Sequence, residues 1–143
     1  RSCPRNEAVD ARSCESAAMI HGIGTDIVAV QRLQGMWERH GERALEKLLA
    51  PGEMEGFAAA AHKGRFLAKR FAAKEAFSKA LGTGVRPPAV LTAIAVGHDE
   101  LGKPILVFSG ALADLVASQN LTSHLSLSDE ADYAIAYVIL ERP

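Results

Sequence analysis

The sequence predicts an α+β domain, with a mainly antiparallel sheet packed against a long central helix and several shorter helices. The first observation behind this prediction is the stretch from Arg65 to Gly84, which is rich in helix-forming alanine and lysine and contains no proline. The second is the change after Gly84 to short β-branched segments, which is typical of strands. A hydrophobic fraction of 48% in 143 residues is enough for one packed domain.

The chain before the central helix predicts one strand and three short helices. Met19 to Val30 has strand character, and Gly22 and Gly24 interrupt it, as glycines do at bulges or where another backbone comes close. The three helices are expected over Val30–His40, over Glu42–Ala50, and from Pro51 through Phe57. The central helix should bury Phe66, Ala73, Phe77 and Ala80, which recur at three- and four-residue steps, and should end at Gly82.

The chain after the central helix predicts two antiparallel hairpins around one short helix. The expected strands are Leu91–Gly97, Pro104–Phe108, Leu121–Ser128 and Tyr133–Leu140, and the expected helix is Gly110–Gln119. The last strand is apolar on both faces, with Ala134, Ala136 and Val138 on one side and Ile135, Tyr137 and Ile139 on the other. A strand of this kind needs a cover on each side, supplied either by helices of the same chain or by another subunit.

Composition excludes several classes of protein. A net charge of -1 gives no general basic field for nucleic acid, and no apolar run is long enough to span a membrane.

Residues 1–18 are polar and are expected to form a flexible extension outside the fold, while residues 19–143 form the domain. Both cysteines, Cys3 and Cys14, lie in that extension, which fits a reducing, cytoplasmic setting.

One stripe of the central helix carries the candidate chemistry. Glu75, Ser78 and Lys79 should share a side, so that a carboxylate, a hydroxyl and an ammonium could hold a divalent cation together with a phosphate. The alternative is an ordinary solvated Glu–Lys pair. Asp26, in the apolar first strand, is interpreted either as a metal ligand or as the cap of the following helix.

Three motifs together resemble one family. The P-loop, the G-x-S-x-G elbow and H-E-x-x-H are all absent. Instead the chain contains GIGTDI at Gly22–Ile27, FAAKEAFSKALGTG at Phe71–Gly84 and GKP at Gly102–Pro104. In this order they resemble holo-acyl-carrier-protein synthase, the small bacterial 4′-phosphopantetheinyl transferase, and the resemblance extends from Met19 to Arg142.

The resemblance implies a reaction and a set of residue roles. The 4′-phosphopantetheine arm of coenzyme A would pass to a serine of apo acyl carrier protein in fatty acid biosynthesis, releasing adenosine 3′,5′-bisphosphate, with Mg²⁺ as cofactor and a homotrimer as the assembly. The implied catalytic residues are Asp26 and Glu75, which would bind the metal, and Lys79, which would meet the pyrophosphate. The implied coenzyme-binding residues are Lys74, Ser78, Gly82, Lys103, Pro104, His124 and Ser126. Arg32 by resemblance, and Arg39 on the same helix, are expected to dock the acidic carrier protein.

Ala44, Ala50 and Asp129 depart from the family pattern, at positions that concern carrier contacts and the edge of the pocket. Two other functions use the same residues. A magnesium-dependent nucleotide or coenzyme A pyrophosphate hydrolase would use water as the nucleophile. A non-enzymatic module would bind coenzyme A or the carrier protein without transfer.

Overall fold

A computed structural model describes residues 18–143 of the chain. The helices are α1 Val30–His40, α2 Glu42–Leu48, α3 Met54–Ala59, α4 Lys63–Leu81 and α5 Gly110–Ser118. The strands are β1 Met19–Ala29, β2 Ile94–His98, β3 Pro104–Phe108, β4 Thr122–Asp129 and β5 Tyr133–Arg142. The predicted α+β class is confirmed. The predicted flexible extension lies outside the described residues, except for Ala18.

All strand pairs are antiparallel, but they form two sheets. A three-stranded sheet has the order β1-β5-β4, and β2 pairs only with β3 in a separate hairpin. The strand predicted from Leu91 starts later than expected, because Leu91–Ala93 form a 3₁₀ turn ahead of β2. The helix predicted to reach Ala50 ends at Leu48, and a 3₁₀ turn at Pro51–Glu53 precedes α3.

The central helix α4 lies across one face of the three-stranded sheet and is buried on most of its circumference. Phe66, Ala73, Phe77 and Ala80 all lie in the core, as their spacing predicts. Gly82 ends the helix because its φ of 91° is left-handed, and its N–H donates to the carbonyls of both Ser78 and Lys79. The small alanines on α4 let the sheet approach closely, and this approach determines where the site residues meet.

Two glycines of β1 permit this close approach. A Cβ atom built on Gly22 would overlap the carbonyl oxygen of Ala80, and one on Gly24 would overlap that of Ala76. A bulge between Ile20 and Gly22 shifts the register of β1 against β5 at the same place. Both predicted reasons for glycine in this strand are therefore confirmed, and β1 lies directly against the turn of α4 that follows Glu75.

The two faces of β5 differ in their cover. Ala134, Ala136, Val138 and Leu140 are fully buried beneath α4 and its neighbours. On the other face Ile135 and Tyr137 are 42% and 41% exposed, and their cross-strand neighbour Ile27 is 61% exposed. Within the described residues, the helices of the chain therefore cover only one face of this sheet.

Candidate active site

Asp26 and Glu75 come together at the contact between β1 and α4. Asp26 pairs across the sheet with the buried Ala136, so its side chain is on the helix-covered face and is only 17% exposed. Helix α1 begins after Ala29 without a side-chain cap, so the alternative that Asp26 caps this helix is wrong. Glu75 is half-buried, and the charge of Asp26 acts on it.

Lys79 completes this group one helical turn beyond Glu75. Its Nζ lies 3.1 Å from Oδ1 of Asp26 and donates a hydrogen bond of 2.9 Å to the carbonyl oxygen of Thr25. Its side chain is 53% exposed, so part of the ammonium remains open to an incoming anion. Lys79 is therefore bound to the strand rather than paired with Glu75 along the helix, which disfavours the interpretation as an ordinary solvated Glu–Lys pair.

The surroundings raise the pKa of Glu75 above the usual value for a glutamate. Burial is the main cause and the negative charge of Asp26 adds to it, while Lys79 and Arg32 lower the pKa. The carboxylates of Asp26 and Glu75 repel one another in a partly buried place, and Lys79 offsets this repulsion only in part. Such an arrangement fits a site for a cation. Among the described residues no group of three or more metal-ligating side chains occurs. Mg²⁺ commonly uses one or two protein carboxylates and takes its other ligands from phosphates and water.

The electrostatics of Glu75 give a testable prediction. In the metal-free protein, Asp26→Asn should lower the pKa of Glu75, because it removes a neighbouring negative charge. Lys79→Met should raise that pKa, because it removes a positive one. Side-chain ¹³C NMR titration of the Glu75 carboxyl group measures all three values. Equal pKa values in wild type and both variants would mean that the three groups do not interact.

Two predicted coenzyme ligands on α4 are corrected by the structure. Lys74 and Ser78 are both fully buried and do not lie on the exposed stripe with Glu75. Nζ of Lys74 lies 2.5 Å from Oε1 of Glu53 and donates to the carbonyl of Leu48, while the Ser78 hydroxyl donates to the carbonyl of Lys74. Their groups are thus occupied inside the protein. Gly82 is exposed, but its N–H closes the end of α4.

The other predicted coenzyme ligands lie together elsewhere. Lys103, Pro104, His124 and Ser126 line one cavity of about 380 Å³, together with Leu125, Leu127, Tyr137 and Ile139. Nε2 of His124 lies 2.6 Å from Oε1 of Glu141, a residue that the sequence did not single out. Ser126 and Tyr137 are cross-strand neighbours on the exposed face of the sheet. The cavity therefore opens on the face opposite to Asp26.

A third group of residues surrounds a groove between α1, α2 and α4. The groove has a volume of about 520 Å³ and is lined by Met36, Arg39, His40, Arg43, Ala44, Lys47, Leu48, Phe71 and Leu91. The guanidinium of Arg32 lies 5.2 Å from the centre of the Phe71 ring. Arg39 and Arg32 are both exposed, as their predicted docking role requires. Arg43 and Lys47 add positive charge at positions that the sequence analysis missed, although their four-residue spacing on α2 could have indicated a shared face.

No helix among residues 18–143 is both long and apolar enough to cross a bilayer.

Known proteins share this sequence and fold. The family model of the 4′-phosphopantetheinyl transferase superfamily matches residues 22–138. A holo-[acyl-carrier-protein] synthase of Dechloromonas aromatica is 73% identical over 123 residues, which are 86% of this chain and 98% of that protein. The one from Aromatoleum aromaticum is 56% identical over 124 residues, 87% of this chain and 99% of that protein.

Solved structures agree with the sequence relatives. The holo-[acyl-carrier-protein] synthase of Neisseria meningitidis superposes with a TM-score of 0.83 at 42% identity, covering 87% of this chain and 100% of the other. That of Bacillus anthracis, in complex with CoA (3′,5′-ADP), gives 0.73 at 35% identity over 87% and 99%. The resemblance read from the three motifs is confirmed: the chain belongs to the 4′-phosphopantetheinyl transferase superfamily and, within it, to the family of holo-[acyl-carrier-protein] synthases.

Proposed function

We propose that this protein transfers 4′-phosphopantetheine from coenzyme A to a serine of apo acyl carrier protein and releases adenosine 3′,5′-bisphosphate. The observation that carries the proposal is the meeting of Asp26, Glu75 and Lys79 at one point between β1 and α4. Two carboxylates and an ammonium at such a point suit a phosphoryl transfer that depends on a divalent cation. The family membership makes coenzyme A and the carrier serine the substrates.

Mg²⁺ is the proposed cofactor, and Asp26 and Glu75 are its proposed protein ligands. The raised pKa of Glu75 in the absence of a metal supports this assignment, because a bound cation would relieve the repulsion from Asp26. When bound, the metal would polarise the phosphate oxygens and neutralise charge that develops on the leaving bisphosphate.

The chain's own residues supply the rest of the transfer. The oxygen of the carrier serine attacks the phosphorus that bears the pantetheine, and a P–O bond to that serine forms. The pyrophosphate P–O bond on the adenosine side breaks, and adenosine 3′,5′-bisphosphate departs with the bond electrons. The exposed part of the Lys79 ammonium would face this leaving charge. Glu75 is the proposed acceptor of the serine proton, since it is a half-buried carboxylate beside Asp26 and Lys79, where the transfer would take place.

The cavity lined by Lys103, Pro104, His124 and Ser126 is the proposed site for the nucleotide end of coenzyme A. Lysine offers positive charge and histidine offers a hydrogen-bond donor to phosphate. This cavity is on the exposed face of the sheet at β4, whereas Asp26 is on the covered face at β1. Strands β1 and β4 are separated by β5, a distance of about 10 Å. The two halves of the proposed site within one chain therefore face in different directions.

A homotrimer, with coenzyme A bound between neighbouring chains, would join these halves. The cavity of one chain would then meet the Asp26–Glu75 group of the next. The uncovered face of the sheet supports this assembly, because Ile23, Ile27, Tyr133 and Ile135 are exposed together on it. An apolar surface of this kind is typical of a protein–protein interface.

The basic groove between α1, α2 and α4 is the proposed docking surface for the acidic carrier protein. Its floor is apolar at Met36 and Phe71, and its rim carries Arg39, Arg43 and Lys47. Arg32, stacked on Phe71, lies between this groove and Glu75, whose pKa its charge lowers. A carrier held there would bring its serine toward the carboxylates.

Charge reversal tests this docking surface. We expect Arg32→Glu to raise the KM for the carrier protein about tenfold or more and to change the KM for coenzyme A far less, because like charges then meet at the interface. The wild-type rate at low carrier concentration should also fall as salt is added. Steady-state kinetics with each substrate varied in turn would measure both effects. Arg142→Glu, at the exposed end of β5, is the matched charge reversal. Equal increases in both KM values would count against the groove.

Product analysis separates transfer from the two other functions. Incubation with coenzyme A and Mg²⁺ should release little adenosine 3′,5′-bisphosphate until apo carrier protein is added. A hydrolase would release the bisphosphate without carrier, and a binding module would release none in either case. We place the reaction in fatty acid biosynthesis because of the family membership, and in the cytoplasm because a domain without cysteine from Met19 onward fits a reducing compartment.

A further inference from the structure

Among residues 18–143, the most deeply buried charged group lies outside the proposed reaction. Glu53 is 3% exposed and Lys74 is 0% exposed, and Nζ of Lys74 lies 2.5 Å from Oε1 of Glu53. Burying such a pair is costly unless further hydrogen bonds satisfy both partners. The family resemblance implies that Lys74 binds coenzyme A, so its burial leaves the first lysine of the K-E-A-x-x-K motif in need of another explanation.

The Glu53 carboxylate joins three separate parts of the chain. Oε1 accepts a hydrogen bond of 2.9 Å from the N–H of Ala50, and Oε2 accepts one of 3.0 Å from the N–H of Val96 in β2. Nε of Arg70, on the preceding turn of α4, lies 3.3 Å from Oε2. Lys74 donates in addition to the carbonyl of Leu48 at 2.7 Å. These bonds tie α4 to the turn after α2 and to the second sheet.

Lys74 is the residue immediately before Glu75. Consecutive residues of an α-helix are about 100° apart, so a fixed inward direction for Lys74 also determines the direction of Glu75 toward β1. The other core side chains near this turn are Ala72, Ala73, Ala76 and Phe77, all 0% exposed, and their contacts are apolar. Apolar attraction of this kind has no preferred direction. Hydrogen bonds to a carboxylate depend on direction and distance, and therefore restrain small rotations or shifts of a helix more strongly.

We infer that Glu53 is a positioning residue: through its ion pair with Lys74, it fixes the rotation of α4 and so holds the Glu75 carboxylate opposite Asp26. Glu53 touches neither substrate nor metal in this account. The inference rests on the proposed function only for its kinetic readout, since Mg²⁺ binding can be measured without turnover. It predicts that loss of the ion pair harms metal binding and turnover even in a protein that remains folded.

The decisive variant removes both charges at once. Glu53→Gln combined with Lys74→Met removes both charges of the ion pair, and Arg70, whose side chain is 11% exposed, is the one charge that loses its partner. We therefore expect the variant to fold with a lowered Tm that stays above the assay temperature. We expect its kcat to fall about tenfold to a hundredfold, the cost of a small misplacement of a reacting group. Isothermal titration calorimetry in the presence of coenzyme A should show weaker Mg²⁺ binding, while the KM for carrier protein stays the same.

Two further variants make the test independent of folding. Leu112→Ala, in the core at α5, should lower the stability of the protein without removing any charged group. We expect its kcat and Mg²⁺ affinity to match wild type below its Tm. Glu53→Asp keeps the charge on a shorter side chain, so we expect a smaller loss of the same kind. It decides the matter if the double variant does not fold. Wild-type kcat and Mg²⁺ affinity in the folded variants would overturn the inference. An inactive wild type would instead refute the proposed function, while the Mg²⁺ titrations would still test the inference.

Discussion

Asp26→Ala and Glu75→Ala should each lower the rate of phosphopantetheine transfer by about 10³-fold or more, because each removes half of the protein ligands proposed for Mg²⁺. Both side chains lie at the contact of β1 with α4, and no other described residue there could replace them. Initial rates across a range of Mg²⁺ concentrations would measure the loss. Added Mg²⁺ should not restore wild-type turnover to either variant.

Glu55→Ala is the matched control for these substitutions. It removes one carboxylate from the exposed surface of α3 and should leave the rate within a factor of about two, since exposed substitutions rarely affect the fold. Circular dichroism should show that all three variants are folded. Near-normal turnover by either site variant at limiting Mg²⁺ would refute the metal assignment.

Ile135→Asp should convert the proposed homotrimer into monomers that neither bind coenzyme A tightly nor catalyse transfer. Ile135 is 42% exposed on the uncovered face of the sheet, so a charge there need not disturb the fold of a single chain. In an assembly that buries this face, the charge would be desolvated without a partner, which is strongly unfavourable. Light scattering should give about three times the chain mass for wild type and one chain mass for the variant.

Leu101→Asp is the control, because Leu101 is 95% exposed in the turn between β2 and β3 and the substitution is the same kind of change. It should keep the mass of the wild-type assembly. Tyr137 is less suitable for this test, since it lines the proposed coenzyme cavity and a substitution there would affect both properties. A fully active wild-type monomer at assay concentration would contradict the assembly and leave the Asp26–Glu75 site unaffected.

The features that local sequence determines were predicted well. Gly82 ends α4 with a left-handed backbone, and Gly22 and Gly24 allow the backbone of α4 to come close to β1. Both properties belong to glycine itself, so they can be predicted from its place after a helical stretch or inside a strand. The helical spacing of Phe66 and Phe77 likewise identified the core face of α4, because helical periodicity is a local property of the sequence.

The features that depend on distant residues were not predicted. The resemblance placed Lys74 among the residues that line the coenzyme pocket, and no local pattern indicates that Glu53, on a separate turn, pairs with it in the core. Helical spacing placed Ser78 on the same side as Glu75. The structure buries Ser78 completely, because other parts of the chain cover α4 on more than one side. The only local signal for Glu53 was its place three residues after Ala50, in a turn that begins with Pro51. At this place a glutamate side chain can accept a hydrogen bond from the N–H at the start of the turn.

The measurement that tests the central claim most directly is the intact mass of an apo acyl carrier protein after incubation with this protein, coenzyme A and Mg²⁺. The account predicts that the carrier gains one 4′-phosphopantetheine group on a single serine and that an equal amount of adenosine 3′,5′-bisphosphate appears. Omission of Mg²⁺, or use of the Glu75→Ala variant, should leave the carrier mass unchanged. An unmodified carrier in the complete reaction, with folded wild-type protein and intact coenzyme A, would contradict the account.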